Sequence, residues 1–140
     1  MTFFVDANAI VYSVVDGPGR ESCLRVLEAG AAGEAQGRTS PVVLEEVWHV
    51  VARRYPELLT GLLESVVEIF SPLLPVTEEA FVSALSLGDS LLDPNDRLHL
   101  GTCATNRIDV VLTADRAFDE AAGIERVNPL DPNAVERLLR

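Results

Sequence analysis

The sequence contains no lysine. Its 11 basic residues are all arginine, they face 22 acids, and the net charge is −11. A surface this anionic repels phosphate, and affinity for a nucleic-acid backbone comes mostly from cationic contacts. Ordinary nucleic-acid binding is therefore disfavoured, with one exception: clustered carboxylates can hold divalent cations that then meet the phosphate. The same acidity suits a basic protein partner. Cysteine is scarce as well. Cys23 and Cys103 form no CxxC pair and have no adjacent histidine pair, which excludes a disulfide framework or a zinc site and points to two buried thiols in a reducing compartment. No apolar run approaches the roughly 18 residues of a membrane span, and no basic region precedes the short apolar N-terminus. A cytosolic protein without a membrane partner is expected. The only tryptophan, Trp48, is expected in the core.

What is present is one domain's worth of chain. At 140 residues and 48% apolar content, residues 1–140 should build a single core. "FFV" before Asp6 reads as a buried strand, and "ANAIVYSVV" after it as a helix or turn, broken by "GPG" at 17–19. Helical spacing recurs from Arg20 to about Ala32, and "GRTS" at 37–40 is a candidate short strand. Ser40 followed by Pro41 is a strong helix start, because serine caps the free amides and proline suits the first helical position. Residues 57–70 read as a further helix, apolar on more than one face and so central or part of an interface. "LLPV" at 73–76 reads as a third strand, Thr77 opens a helix, and "LLDPND" at 91–96 breaks the chain before another. "DVVLTAD" at 109–115 is a clear strand; a short helix and a last strand near 124–127 follow. Strands alternating with helices imply a mostly parallel sheet wrapped on both faces.

In such a sheet, crossover helices begin at the edge where strands end, the edge at which open α/β sheets bind ligands. Asp6 ends the first strand and Asp115 follows the "VVLT" strand; Asp96 lies in the first turn of one helix and Glu46 in the second turn of another. All four acids point toward one edge. Each has a plainer explanation: Asp6 in an Asx turn, Asp115 as a cap, Asp96 favouring a helix dipole behind Asp93, and Glu46 on a solvated face beside Glu45. Those explanations do not require the four to converge. Carboxylates about 4 Å apart repel by about 4 kcal/mol at the effective dielectric of a protein surface, so a converged set calls for a hard cation such as Mg²⁺ or Mn²⁺. An all-oxygen site of this kind suits phosphodiester hydrolysis.

The segments "FFVDAN", "TSPVVLEEVW" and "DPNDRLHLGTCATNRIDVVLTADRAFD", in this order, resemble the acidic blocks of PIN-domain ribonucleases, especially the VapC-type toxins of toxin–antitoxin pairs. The resemblance covers nearly the whole chain. It implies a three-layer α/β/α fold with a central parallel sheet of about five strands, and metal-dependent endonucleolytic cleavage of RNA. It assigns Asp6 to the first acid, Glu46 rather than Glu45 to the second, Asp96 rather than Asp93 to the third, and Thr113 with Asp115 to the closing "TxD". Asn8 and Thr113 become supporting polar groups and Asp119 an outer ligand. Arg97 and Arg116, each just after a ligand position, are candidate phosphate contacts. His99 is either a further substrate contact or a half-buried packing residue, and His49 poses the same choice. The implied partners are an RNA substrate, a small antitoxin and a second copy of the chain, with the apolar excess at 57–70 serving the dimer or an antitoxin groove.

Three other readings compete. A PIN-like interaction module without catalysis would be expected to have lost at least one of the four acids. A housekeeping PIN nuclease without an antitoxin has the same residues as a toxin. A phosphoacceptor receiver domain needs a late lysine, which this chain lacks.

Overall fold

The computed structural model describes residues 1–87 and 92–140. Leu91 of "LLDPND" lies outside the described residues. The chain runs β1 (Thr2–Val5), α1 (Ala7–Val14), α2 (Arg20–Ala31), β2 (Gln36–Arg38), α3 (Pro41–Arg54), α4 (Leu62–Phe70), α5 (Glu78–Leu85), α6 (Pro94–Thr105), β3 (Val110–Leu112), β4 (Glu125–Val127) and α7 (Pro132–Leu138), with 3₁₀ turns at Pro56–Leu58 and Arg116–Glu120. The strands form one parallel sheet in the order β2-β1-β3-β4, layered between helices. β1 is central and its Phe3, Phe4 and Val5 are fully buried, which is why it carries three consecutive apolar residues instead of an alternating pattern.

Local chemistry starts the helices where the sequence marks them. Ser40 caps α3 through Val43 N, Thr77 caps α5 through Ala80 N, and Asp93 caps α6 through Asp96 N, with Pro41 and Pro94 opening α3 and α6. α5 packs against α6 closely, because a Cβ on Gly101 would run into the carbonyl of Ala80. α2 packs on α1, α4 and α7.

The described sheet has four strands, and "LLPV" is not one of them. Its backbone is tied to the residue after β2 by one bond, Leu74 N to Thr39 O at 2.9 Å. The return bond of a parallel bridge would come from the amide of Pro41, which has none, and Pro75 cannot donate either. Leu74 is buried all the same. The helix expected over 57–70 is two pieces, separated by Gly61 at φ +76. α4 buries Val66 and Phe70 and packs Leu62, Leu63 and Ile69 against the core, so much of the apolar excess is used internally. Exposed apolar side chains lie instead on α5, at Phe81, Val82 and Leu85. Trp48 is not core: it is 57% exposed on the outer face of α3. Cys23 and Cys103 are buried free thiols, each pushed up to about 12 by burial. No described helix is long and apolar enough to cross a membrane.

Candidate active site

β1 and β3 are neighbours, so their carboxyl ends meet. Asp6 N donates to Leu112 O, and the next side chains on the two strands, Asp6 and Thr113, lie in contact: Thr113 Oγ1 donates to Asp6 Oδ2 at 2.7 Å. Asn8 ties the same corner together. Its amide group donates to Thr113 Oγ1 at 3.0 Å, and its Oδ1 accepts from Ala114 N at 3.0 Å. Asp115 N donates to Thr113 Oγ1 at 3.1 Å, which draws the turn after β3 toward Asp6.

Asp6 and Asp115 are also caps. Asp6 Oδ1 accepts from Ala7 N at 2.8 Å at the start of α1, and Asp115 Oδ1 accepts from Ala117 N at 2.9 Å. The capping explanation and the clustering explanation therefore describe the same side chains. For Asp96 they separate, because Asp93 is the cap of α6 and leaves the Asp96 carboxylate uncommitted to that helix end.

Asp6, Glu46, Asp96 and Asp115 line one cavity of about 540 Å³, and Asp93 joins them at its rim. Glu45 does not; it faces outward and pairs with His49 on the exposed side of α3. His99 is buried to 1% exposure beneath the acids, packed on Phe4, with Nε2 2.8 Å from Glu46 Oε1 and 3.7 Å from Asp6 Oδ1. This corrects its assignment as a substrate contact, since no surface is left for substrate to touch. It holds Glu46 instead. Asn8 also lines the cavity, whereas Arg97, Arg116 and Asp119 lie off it. Arg97 Nε donates to Leu92 O, Asp119 is paired with Arg126 at 2.9 Å, and Arg116 is not among the lining residues. The cavity's own arginines are Arg20 and Arg54.

Electrostatics show what the cluster requires. Burial raises the Asp6 carboxyl above the usual carboxylate range. Asp96 is pushed up to about 8 by burial, by the charges of Asp6 and Asp93 and by its contact with Asp115, against a smaller opposing effect of His99. Burial lowers His99, but its bond to Glu46 and the charges of Asp6, Glu46 and Asp96 outweigh that and leave it raised. Negative charge thus exceeds what His99 can offset. The four acids offer carboxylate oxygens, and one oxygen each from Asp6 and Glu46 lies within 4.8 Å of the other and of a ring nitrogen of His99. The set fits a hard divalent cation.

A pH dependence follows. The folded pKa of Asp96, about 8, lies above the unfolded value of 3.8, so folding favours the protonated form. That stabilisation is complete below the unfolded value and is lost as pH rises toward the folded one. His99, also raised, contributes with the same sign. In EDTA the melting temperature is expected to fall by about 3 °C per pH unit between pH 6 and 8, and Asp96→Asn to flatten the decline and melt no lower than the parent at pH 8. Calorimetry across this range checks it; a large loss of stability in the variant would mean that Asp96 serves the fold as a structural group.

Comparison with known proteins agrees with this architecture. A family model described as PIN domain matches residues 3–124. Two relatives, VapC ribonuclease Mb1869c of Mycobacterium bovis and Ribonuclease VapC13 of Mycobacterium tuberculosis, are each 28% identical over 127 residues, spanning 88% of this chain and 97% of theirs. A solved structure described as a toxin–antitoxin complex from Klebsiella pneumoniae shares the fold, with a TM-score of 0.65 at 21% identity over 92% of this chain and 98% of that one.

Proposed function

This chain belongs to the PIN-domain family, and from that premise we propose that it is a divalent-metal-dependent endoribonuclease, the toxin of a toxin–antitoxin pair, acting in the cytosol as a single nuclease domain over residues 1–140. The observation that carries the proposal is the gathering of Asp6, Glu46, Asp96 and Asp115, from four separate parts of the sequence, around one cavity. RNA as substrate is supported by the two ribonuclease relatives, and a small antitoxin by the architecture shared with a toxin–antitoxin complex. A second copy of the chain is the other partner this reading implies.

Asp6, Asp96 and Asp115 would hold Mg²⁺ or Mn²⁺, directly or through water. The chemistry such an ion would supply there is that of a Lewis acid, easing deprotonation of the attacking water and offsetting charge on the phosphate. Thr113 Oγ1, and more weakly Asn8 Nδ2 at 3.4 Å, donate to Asp6 Oδ2 and so fix its carboxylate, as supporting groups do around a ligand. Glu46, anchored from below by His99, accepts the proton of the attacking water.

The purified protein is expected to cleave unstructured single-stranded RNA with Mg²⁺ or Mn²⁺ and to stop when EDTA is added, with cleavage restored by excess metal. Cleavage that continues undiminished in EDTA would overturn the proposal.

A further inference from the structure

The four acids occupy only part of their cavity. The remainder is walled by Val11, Val50, Tyr12 and Tyr55, with the guanidinium groups of Arg20 and Arg54 beside them. At about 540 Å³ the whole is within the range of about 300–1,000 Å³ typical of sites that enclose a small organic ligand, and larger than a phosphate and a cation need. Tyr12 is not loosely placed. Gly19 is buried against it, and a Cβ there would stand 2.8 Å from Leu130 Cδ2 and 3.1 Å from Tyr12 Cδ2, so the absent side chain is what lets Tyr12 and Leu130 close this wall. The two arginines differ. Arg20 is bonded to Asp16 at 3.3 Å, whereas Arg54, at the end of α3, has no hydrogen-bonded or ionic partner among the described residues.

An anionic cavity that also presents aromatic rings and one uncommitted cation matches a particular ligand. Bases stack on aromatic faces whatever their identity, and they reach such faces only when they are unpaired and unstacked. A guanidinium takes phosphate oxygens in a two-pronged geometry. We propose that Tyr12, Tyr55 and Arg54 form a nucleotide subsite adjoining the acids, in which the tyrosines hold an unstacked base and Arg54 holds a phosphate next to the one that is cleaved. The proposal rests on the endoribonuclease reading and makes the substrate more specific: single-stranded RNA with a base free to leave its stack, taken with little regard to which base it is.

The test separates binding from cleavage. A short fluorescein-labelled single-stranded RNA is titrated by anisotropy, in Ca²⁺ and across a salt series, into the parent, Arg54→Gln, Arg54→Glu, Tyr12→Ala, Tyr12→Phe and a control, Arg53→Glu, whose arginine is exposed outside this cavity. Arg54→Gln is expected to weaken binding about tenfold and to flatten the slope of log Kd against log salt by about 0.7, the effect of one lost phosphate contact on a single strand. Tyr12→Ala should weaken binding about fivefold or more without changing that slope, while Tyr12→Phe binds as the parent does. A duplex of the same sequence should bind more weakly than the single strand. If Arg54→Glu binds no more weakly than Arg53→Glu, or Tyr12→Ala binds like Tyr12→Phe, the subsite is wrong even in a protein that cleaves RNA. If these binding differences appear in a protein that never cleaves, the subsite stands and the nuclease reading falls.

Discussion

Asp6→Asn is expected to lower RNA cleavage by about a thousandfold or more while leaving the fold intact. The carboxylate is buried at the meeting point of β1 and β3, faces Glu46 and Asp96, and belongs to the set of donors that fits a divalent ion. Removing its charge removes part of the field that holds the metal and stabilises the developing phosphorane-like charge, where individual contributions of several kcal/mol are usual. Asparagine is nonetheless a gentle structural replacement. Its carbonyl can still cap Ala7 N, asparagine and aspartate being about equal as caps, and a neutral group costs less to bury here than a charged one. Melting in EDTA should therefore stay within about 3 °C of the parent. Cleavage within tenfold of the parent, at matched metal concentration, would remove Asp6 from the active site.

Gly101→Ala should have the largest effect on stability. On an open helix, alanine would gain about 1 kcal/mol over glycine. Here the new Cβ collides with the carbonyl of Ala80, a backbone atom that cannot swing aside, and the nearest further contacts, Ala80 C and Ala84 N at 3.1 Å each, are backbone too. α5 and α6 must separate, and overpacking of this kind costs about 1–3 kcal/mol and occasionally more. A net loss of about 2 kcal/mol, or roughly 6 °C in melting temperature, is expected from urea and thermal unfolding. Because Asp96 sits near the start of α6, cleavage should fall as well, and a variant that melts at or above the parent would show that the helices can part without cost.

How much of this was legible in the sequence depends on how local the signal is. β1 and β3 announce themselves as consecutive apolar, β-favouring residues, and the Ser40–Pro41, Thr77 and Asp93–Pro94 starts are chemistry contained within four residues. The same local signal marks α7, whose Asp131 accepts from Asn133 N and Ala134 N around Pro132. "LLPV" misled because an apolar run reports burial, which Leu74 has, and says nothing about whether a partner can return a hydrogen bond. Trp48 misled for a related reason: an aromatic residue suits a core, but its position on α3 turns it outward. Convergence of the acids was legible because it follows from topology, helix starts and strand ends sharing one edge. The grip of His99 on Glu46 was not, since the two are 53 positions apart and meet only through the packing of α3 against α6. Arg54 did carry a local signal, standing four and eight positions after Val50 and Glu46 on the same face of α3, whereas Arg97 and Arg116 have sequence neighbours that do not decide where a side chain points.

The order of the strands bears on when the cluster of acids can be assembled during synthesis. β1 is made first, but one of its two neighbours comes late: β3 spans Val110–Leu112, and the hydroxyl that holds Asp6 belongs to Thr113. Until residue 113 has been added, Asp6, Glu46 and Asp96 already exist as residues, but the corner that organises them does not. A chain that stops before residue 113 carries three of the four acids but lacks Asp115 and the bonds from Thr113 and Ala114 that fix Asp6 and Asn8, and under the proposed function it is expected not to cleave RNA.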